Sequence, residues 1–188
     1  MYDPDAIRQQ SQHAADILRR GGVVIYPTEG VFGIGCLASD DNAVTRLLGV
    51  KQRDPGKGFI LIASRLAQLD GWVADIPAGQ RDRVLASWPG AVTWVLPAAP
   101  DVSALVTGGR DTVAVRVSAH PFVKALCDEL DDVLISTSAN LSGEATATSP
   151  DELQQTFGNQ VDYIVPLMPG DLKGPTPIFD ARTGQQLR

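Results

Sequence analysis

The chain has 188 residues, 44% of them hydrophobic and 20% charged, and a formal net charge of −6, so one core of ordinary size and one domain over residues 1–188 are expected. This composition excludes general disorder and disulfide-scaffold classes, and without a run of ~18 apolar residues or a basic, apolar leader it predicts a cytoplasmic protein with no membrane segment. The negative balance argues against a broad nucleic-acid footprint, so any grip on phosphate has to be local.

In chain order, Asp3 and Pro4 offer the N-cap and first position of a helix, and Ile7, Ala14, Ile17 and Leu18 recur at helical spacing until Gly21 and Gly22 end it. The apolar run 23–26, closed by Pro27, predicts a buried strand followed by an irregular loop through Gly35. Gly30, Gly33 and Gly35 in that loop fit two roles: close approach of backbone amides to a ligand, or a tight turn that needs positive φ. The Gly-x-Gly pair lacks the rest of a dinucleotide fingerprint, and no Walker A loop occurs.

A second helix is predicted over 41–50 with Val44, Leu47 and Leu48 inward, and Lys51, Arg53 and Lys57 lie just beyond it in a Gly/Pro loop. Clustered cations there can grip phosphate oxygens, or they can be a solvated helix end favoured by the dipole. Further strands are predicted at 59–63, 91–96, 112–117, 133–136, 162–165 and 177–180, with helices at 80–88, 121–130 and 150–157. Interleaved strands and helices give an α/β or α+β layered domain on a mixed sheet.

Alternation in 112–117 points Thr112, Ala114 and Arg116 to one face. A guanidinium inside an apolar strand needs a carboxylate, either the protein's or a substrate's. The strand at 133–136 opens into Thr137, Ser138, Asn140 and Ser142. Short hydroxyl and amide side chains there suit a nucleotide's sugar and phosphates, or an Asx/ST-turn that satisfies its own backbone. Cys36, Cys127, His13 and His120 are too scattered for a CxxC-type zinc site, and the cysteines read as small buried hydrophobes. No G-x-S-x-G motif supports a hydrolase triad, and His120 before Pro121 reads as a helix start.

The segments YPTEGVFGIG, KQRDPGKGFILIA, WPGAVTWVLPA, DTVAVRVSAHP, ISTSANLSG and GPTPIFD cover the chain nearly end to end in that order. Together they closely resemble the YrdC/TsaC-like threonylcarbamoyl-AMP synthases, in the short single-domain bacterial form. The resemblance implies an α/β fold: a single-domain, twisted, open mixed sheet with flanking helices around a deep groove. It also implies a nucleotidyltransferase that joins L-threonine, bicarbonate and ATP into L-threonylcarbamoyladenylate and pyrophosphate. Mg²⁺ would arrive on ATP, with no protein ligand. Partner proteins would then transfer the threonylcarbamoyl group to the adenosine beside the tRNA anticodon.

Carried over by position, the resemblance makes Lys51 and Arg53 the catalytic pair on the triphosphate. Lys57, Thr112, Ser138, Asn140 and Arg188 would join them on ATP, and Thr28, Arg116, Thr137 and Thr176 would hold threonine, Arg116 at its carboxylate. Gly30, Asp54 and Ala91 depart from the family pattern, Ile62 stands where longer members place a threonine-contacting His, and Thr176 replaces a usual Ser. The alternative is a non-catalytic RNA-binding module with weak tRNA contact, against which the net charge of −6 argues.

Overall fold

The computed structural model describes residues 2–141 and 143–188, which leaves Ser142 of the hydroxyl-rich loop outside the described residues. Helix α1 (Pro4–Leu18) begins as the sequence predicts, with the Asp3 carboxylate accepting from the Asp5 amide. Strand β1 (Val24–Pro27) follows. The expected irregular loop then contains a further strand, β2 (Phe32–Gly35), paired antiparallel with β1 in a hairpin. That corrects the sequence reading, and the cause is local. Gly30, Gly33 and Gly35 are absent from the positive-φ glycines, so they supply close approach, not turn geometry. A Cβ on Gly33 would stand 3.2 Å from the Tyr26 ring, and one on Gly35 would stand 1.8 Å from the Ile135 carbonyl oxygen.

Helix α2 (Asp41–Lys51) is capped by Asp40 and takes Lys51 in as its last residue. A short 3-10 turn, Pro55–Lys57, leads to β3 (Ile60–Ala63), and α3 (Ala78–Leu85) to β4 (Thr93–Pro97). The one-turn helix α4 (Ala104–Thr107) was not predicted, being too short for a periodic signal. After it come β5 (Thr112–Val117), α5 (Pro121–Leu130), β6 (Leu134–Ser138), α6 (Pro150–Phe157), β7 (Tyr163–Ile164) and β8 (Ile178–Asp180).

The eight strands form one mixed sheet in the order β7-β1-β2-β6-β3-β5-β4-β8, which bears out the expected α/β architecture. The pairs β1/β7, β3/β5 and β4/β8 are parallel, and β1/β2, β2/β6, β6/β3 and β5/β4 are antiparallel. One face is covered by α1 and α5, whose Ala14, Leu18, Phe122 and Leu126 pack on Val24, Tyr26, Ile62 and Leu134. The other face carries the larger core, in which Val44, Leu47, Val106 and Phe157 cover Ile25, Leu61, Val115 and Ile135. Strand alternation carries the first face onward past the helices through Gly33, Ile60, Ala114, Arg116 and Ser136, and there it stays open.

Both cysteines are free and buried, and burial pushes the Cys36 thiol up to about 12. No helix among the described residues is long and apolar enough to cross a membrane.

Candidate functional site

The open part of that face is a groove with about 210 Å³ of free space, several times the ~30 Å³ share of a water molecule. Its walls come from four stretches of chain: the β1–β2 hairpin, the loop before β3, the end of β6 and the segment before β8. Eight residues expected at the site line it: Thr28, Arg53, Lys57, Arg116, Thr137, Ser138, Thr176 and Arg188. Lys51, Thr112 and Asn140 do not.

Arg116 stands in the middle of the groove floor and is only 5% exposed. One terminal nitrogen donates to Thr176 Oγ1 at 2.8 Å, and the other faces Glu29 Oε2 at 3.5 Å. Its Nε is buried with no partner. A buried charged donor left unpaired costs free energy until an acceptor arrives, so Arg116 keeps donor capacity that the protein itself does not use. Thr176 Oγ1 also lies 3.3 Å from Thr93 Oγ1, and Thr28 donates its hydroxyl to the Val31 carbonyl at 2.7 Å. Small hydroxyls thus surround the arginine, while Val31 and Phe32 add apolar wall.

The cations gather toward the loop before β3. Arg53 donates through two nitrogens to the Gly58 carbonyl, at 3.1 and 2.8 Å, and its guanidinium lies 5.2 Å from the centre of the Phe59 ring. Burial and the neighbouring Arg110 and Arg188 lower its pKa. Arg188 is tied down by donation to the Thr176 carbonyl at 3.0 Å, and the backbone beside it pairs with Ile178. Asp54, the departure beside Arg53, accepts from the Gly56 amide at 2.9 Å and caps the 3-10 turn, away from the groove. Arg110, which the sequence did not single out, donates to the Gly56, Lys57 and Thr107 carbonyls and braces this loop from behind.

Lys51 lies beside the groove and not in its lining. It is 3% exposed, and its ammonium donates to the Ser138 carbonyl at 2.6 Å and to the Asn140 carbonyl and side-chain oxygen. Burial, with Arg53 nearby, lowers its pKa to about 8. All three of its protons are directed at the β6 loop. The Asn140 amide donates to the Leu141 and Glu144 carbonyls, so it stabilises its own loop. Thr112 pairs with Pro97 at the far end of β5. Ile62 is fully buried under α1 and α5 and contributes no groove surface.

Two groups behind Arg116 were not picked out from the sequence. Glu29 accepts from Ser118 Oγ at 2.6 Å, and Ser118 Oγ accepts in turn from the His120 backbone amide at 3.1 Å. The one available signal was Glu29's place between two groove residues, Thr28 and Gly30.

A family model described as Telomere recombination, that of Sua5, YciO and YrdC, matches residues 16–188. A threonylcarbamoyl-AMP synthase of Halorhodospira halophila is 49% identical over 177 residues, covering 94% of this chain and 93% of its own length. One from Vibrio cholerae is 47% identical over 185 residues, covering 97% and 98%. Among solved structures, P. abyssi Sua5 complexed with L-threonine superposes with a TM-score of 0.86 at 31% identity, over 92% of this chain and 51% of that one. The chain therefore spans about half the length of that protein. E. coli YciO matches with a TM-score of 0.79 at 29% identity, over 92% of this chain and 84% of its own.

Proposed function

Because the chain belongs to the Sua5/YciO/YrdC family, we propose that it is a threonylcarbamoyl-AMP synthase that converts L-threonine, bicarbonate and ATP into L-threonylcarbamoyladenylate and pyrophosphate. The observation that carries this reading is one groove with two chemistries. A buried arginine with a free edge sits among hydroxyls at one end, and Arg53, Lys57 and Arg188 stand at the other. The first end suits an α-carboxylate and a hydroxyl, the second a triphosphate.

In this reading Arg116 takes the threonine carboxylate, with Thr28, Thr137 and Thr176 around the side chain. The threonine amine and bicarbonate form a carbamate with loss of water, the carbamate attacks the α-phosphorus through a carboxylate oxygen, and the bond to the bridging oxygen breaks as pyrophosphate leaves. No enzyme nucleophile is needed, so the chain's contribution is positioning and charge neutralisation, and because AMP passes from pyrophosphate to the carbamate the reaction is a nucleotidyl transfer. Arg53, Lys57 and Arg188 neutralise the leaving pyrophosphate, and Ser138 borders the nucleotide. Lys51 acts from beneath: it fixes the carbonyls of Ser138 and Asn140 and so sets the β6 loop. Thr112, at the far end of β5 and outside the groove lining, is given no role in this reading. Since no carboxylate lines the groove, no metal ligand is assigned to the chain, and Mg²⁺ belongs to the MgATP substrate.

The product is the donor for tRNA-modifying partner proteins, and a cytoplasmic setting follows from that role. The test is mass detection of threonylcarbamoyl-AMP after mixing the protein with MgATP, threonine and bicarbonate. Product that depends on bicarbonate is expected, and its absence would overturn the reading. In the same assay Arg53→Ala should lower the rate by ~10²–10³, the typical cost of one preorganised charge contact.

A further inference from the structure

Two paths, each made partly of hydrogen bonds and partly of covalent chain, lead from Tyr2, outside the groove, to Arg116 inside it. The phenol oxygen of Tyr2 lies 3.0 Å from the Met168 carbonyl and 2.8 Å from His120 Nε2. A phenol has one proton, and a carbonyl can only accept, so the hydroxyl proton goes to Met168. His120 must then donate from Nε2 to the phenol oxygen, which leaves Nδ1 without a proton. That nitrogen is buried with no donor facing it. Burial holds the His120 pKa down to about 4, so the ring is neutral and has one proton to give.

The first route runs along the chain from Met168. The Gly170 amide donates to the Thr28 carbonyl at 2.8 Å and the Leu172 amide to the Glu29 carbonyl at 3.0 Å, so residues 168–176 lie against the β1–β2 hairpin. The fit is tight at Gly30, where a Cβ would stand 2.4 Å from the Gly174 carbonyl oxygen and 2.5 Å from that of Leu172. This segment ends at Thr176, whose hydroxyl receives Arg116. The second route runs from the His120 backbone through Ser118 to Glu29, which faces the other terminal nitrogen of Arg116. Both terminal nitrogens of the guanidinium are therefore held by parts that Tyr2 and His120 tie together.

We propose that Tyr2 is a positioning residue for the amino-acid end of the groove: its phenol holds residues 168–176 and His120 in place, and with them the two partners that aim Arg116 at a ligand carboxylate. Gly30 is the seat that lets the segment lie close enough to do so. The proposal rests on the threonine-binding reading above. It gives the departure at Gly30 a physical role, because a side chain there would lift the segment that carries Thr176.

The test compares wild type with Tyr2→Phe, which keeps the ring and its edge-on contact with His120 at 5.1 Å but removes the hydroxyl. Gly30→Ala is the second variant. Amide hydrogen exchange is read at Gly170 and Leu172, L-threonine affinity by calorimetry, and KM for threonine and for ATP separately. Losing one net hydrogen bond should speed exchange at both amides by ~5–10-fold in Tyr2→Phe. Threonine affinity should fall by a similar ~5–10-fold with the ATP KM within ~2-fold, because the loss acts through Arg116 alone. Unchanged exchange, an equal rise in both KM values, or faster exchange with unchanged threonine affinity would each overturn the proposal. A wild type that binds threonine, responds to Tyr2→Phe in amide exchange and calorimetric threonine affinity as described and yet makes no threonylcarbamoyl-AMP would remove the synthase reading and leave this one standing. A wild type that binds no threonine would remove both.

Discussion

The residue that decides most at this site is Arg116, and its value lies in shape as well as charge. A guanidinium presents donors along fixed edges: here one terminal nitrogen donates to Thr176, the other faces Glu29 as an ion pair, and Nε is buried without a partner. An ammonium in the same place offers a point charge on a flexible stem and cannot keep both protein partners while it binds a carboxylate. Arg116→Lys should therefore lose threonine affinity nearly as far as Arg116→Ala, by ~10–100-fold, the range for a charge-assisted contact. Calorimetry with threonine and with ATP separately checks this. Equal losses for the two ligands would mean that Arg116 bridges both sites. The sequence made this arginine visible because charge inside a β-branched run is anomalous. It could not reveal Glu29 or Ser118, whose pairing spans 89 residues of chain.

At the scale of elements, what was legible followed from strong local patterns. The Asp3–Pro4 start of α1, the β-branched run of β5, and the Pro-led helices α5 and α6 lie where periodicity and caps put them. Strand β2 was hidden because its glycines read as loop, although they are there for packing: Tyr26 lies over Gly33, and its hydroxyl reaches the Ile135 carbonyl at 3.1 Å. The place of Lys51 was hidden for a related reason. Spacing puts it at a helix end, and only the tertiary fold shows that end buried against the β6 loop. The glycine account can be tested. Gly35→Ala would put a methyl 1.8 Å from the Ile135 oxygen, a backbone atom that cannot swing away. The hairpin would have to shift against β6, at the ~1–3 kcal/mol of core overpacking, which for a chain of this length lowers Tm by roughly 3–10 °C. A thermal melt within a degree or so of wild type would show that the β2–β6 approach is slack and that the glycine has another purpose.

For the whole molecule, the balance of charge and burial is what pH will probe. The chain carries −6 overall, yet its groove gathers Arg53, Lys57, Arg116 and Arg188, and His120 is buried near that cationic floor with Glu29, Arg116 and Tyr2 around it. Desolvation is the first cause of its lowered pKa of about 4, with Arg116 pulling the same way and Glu29 opposing. In the unfolded chain the same imidazole titrates near ~6.5. Above that pH it is neutral in both states and contributes nothing to the difference. Between ~6.5 and 4 the unfolded chain takes up a proton that the folded chain refuses, so stability falls on acidification by up to ~2–3 kcal/mol before the folded state also protonates. The depressed carboxylates Asp128 and Asp162 belong to a lower window. Lys124 and Ser64 hold the first down, Arg46 and the Val23 amide the second, and their stabilisation is lost only as pH falls through their own folded pKa values. The two windows can be separated with His120→Asn, which removes the titration. Urea unfolding from pH 7 to 4.5 should slope for wild type and run nearly flat for the variant, whatever constant offset the substitution brings. Parallel curves would mean that folding does not lower the His120 pKa, and burial would not be what keeps the ring that donates to Tyr2 neutral.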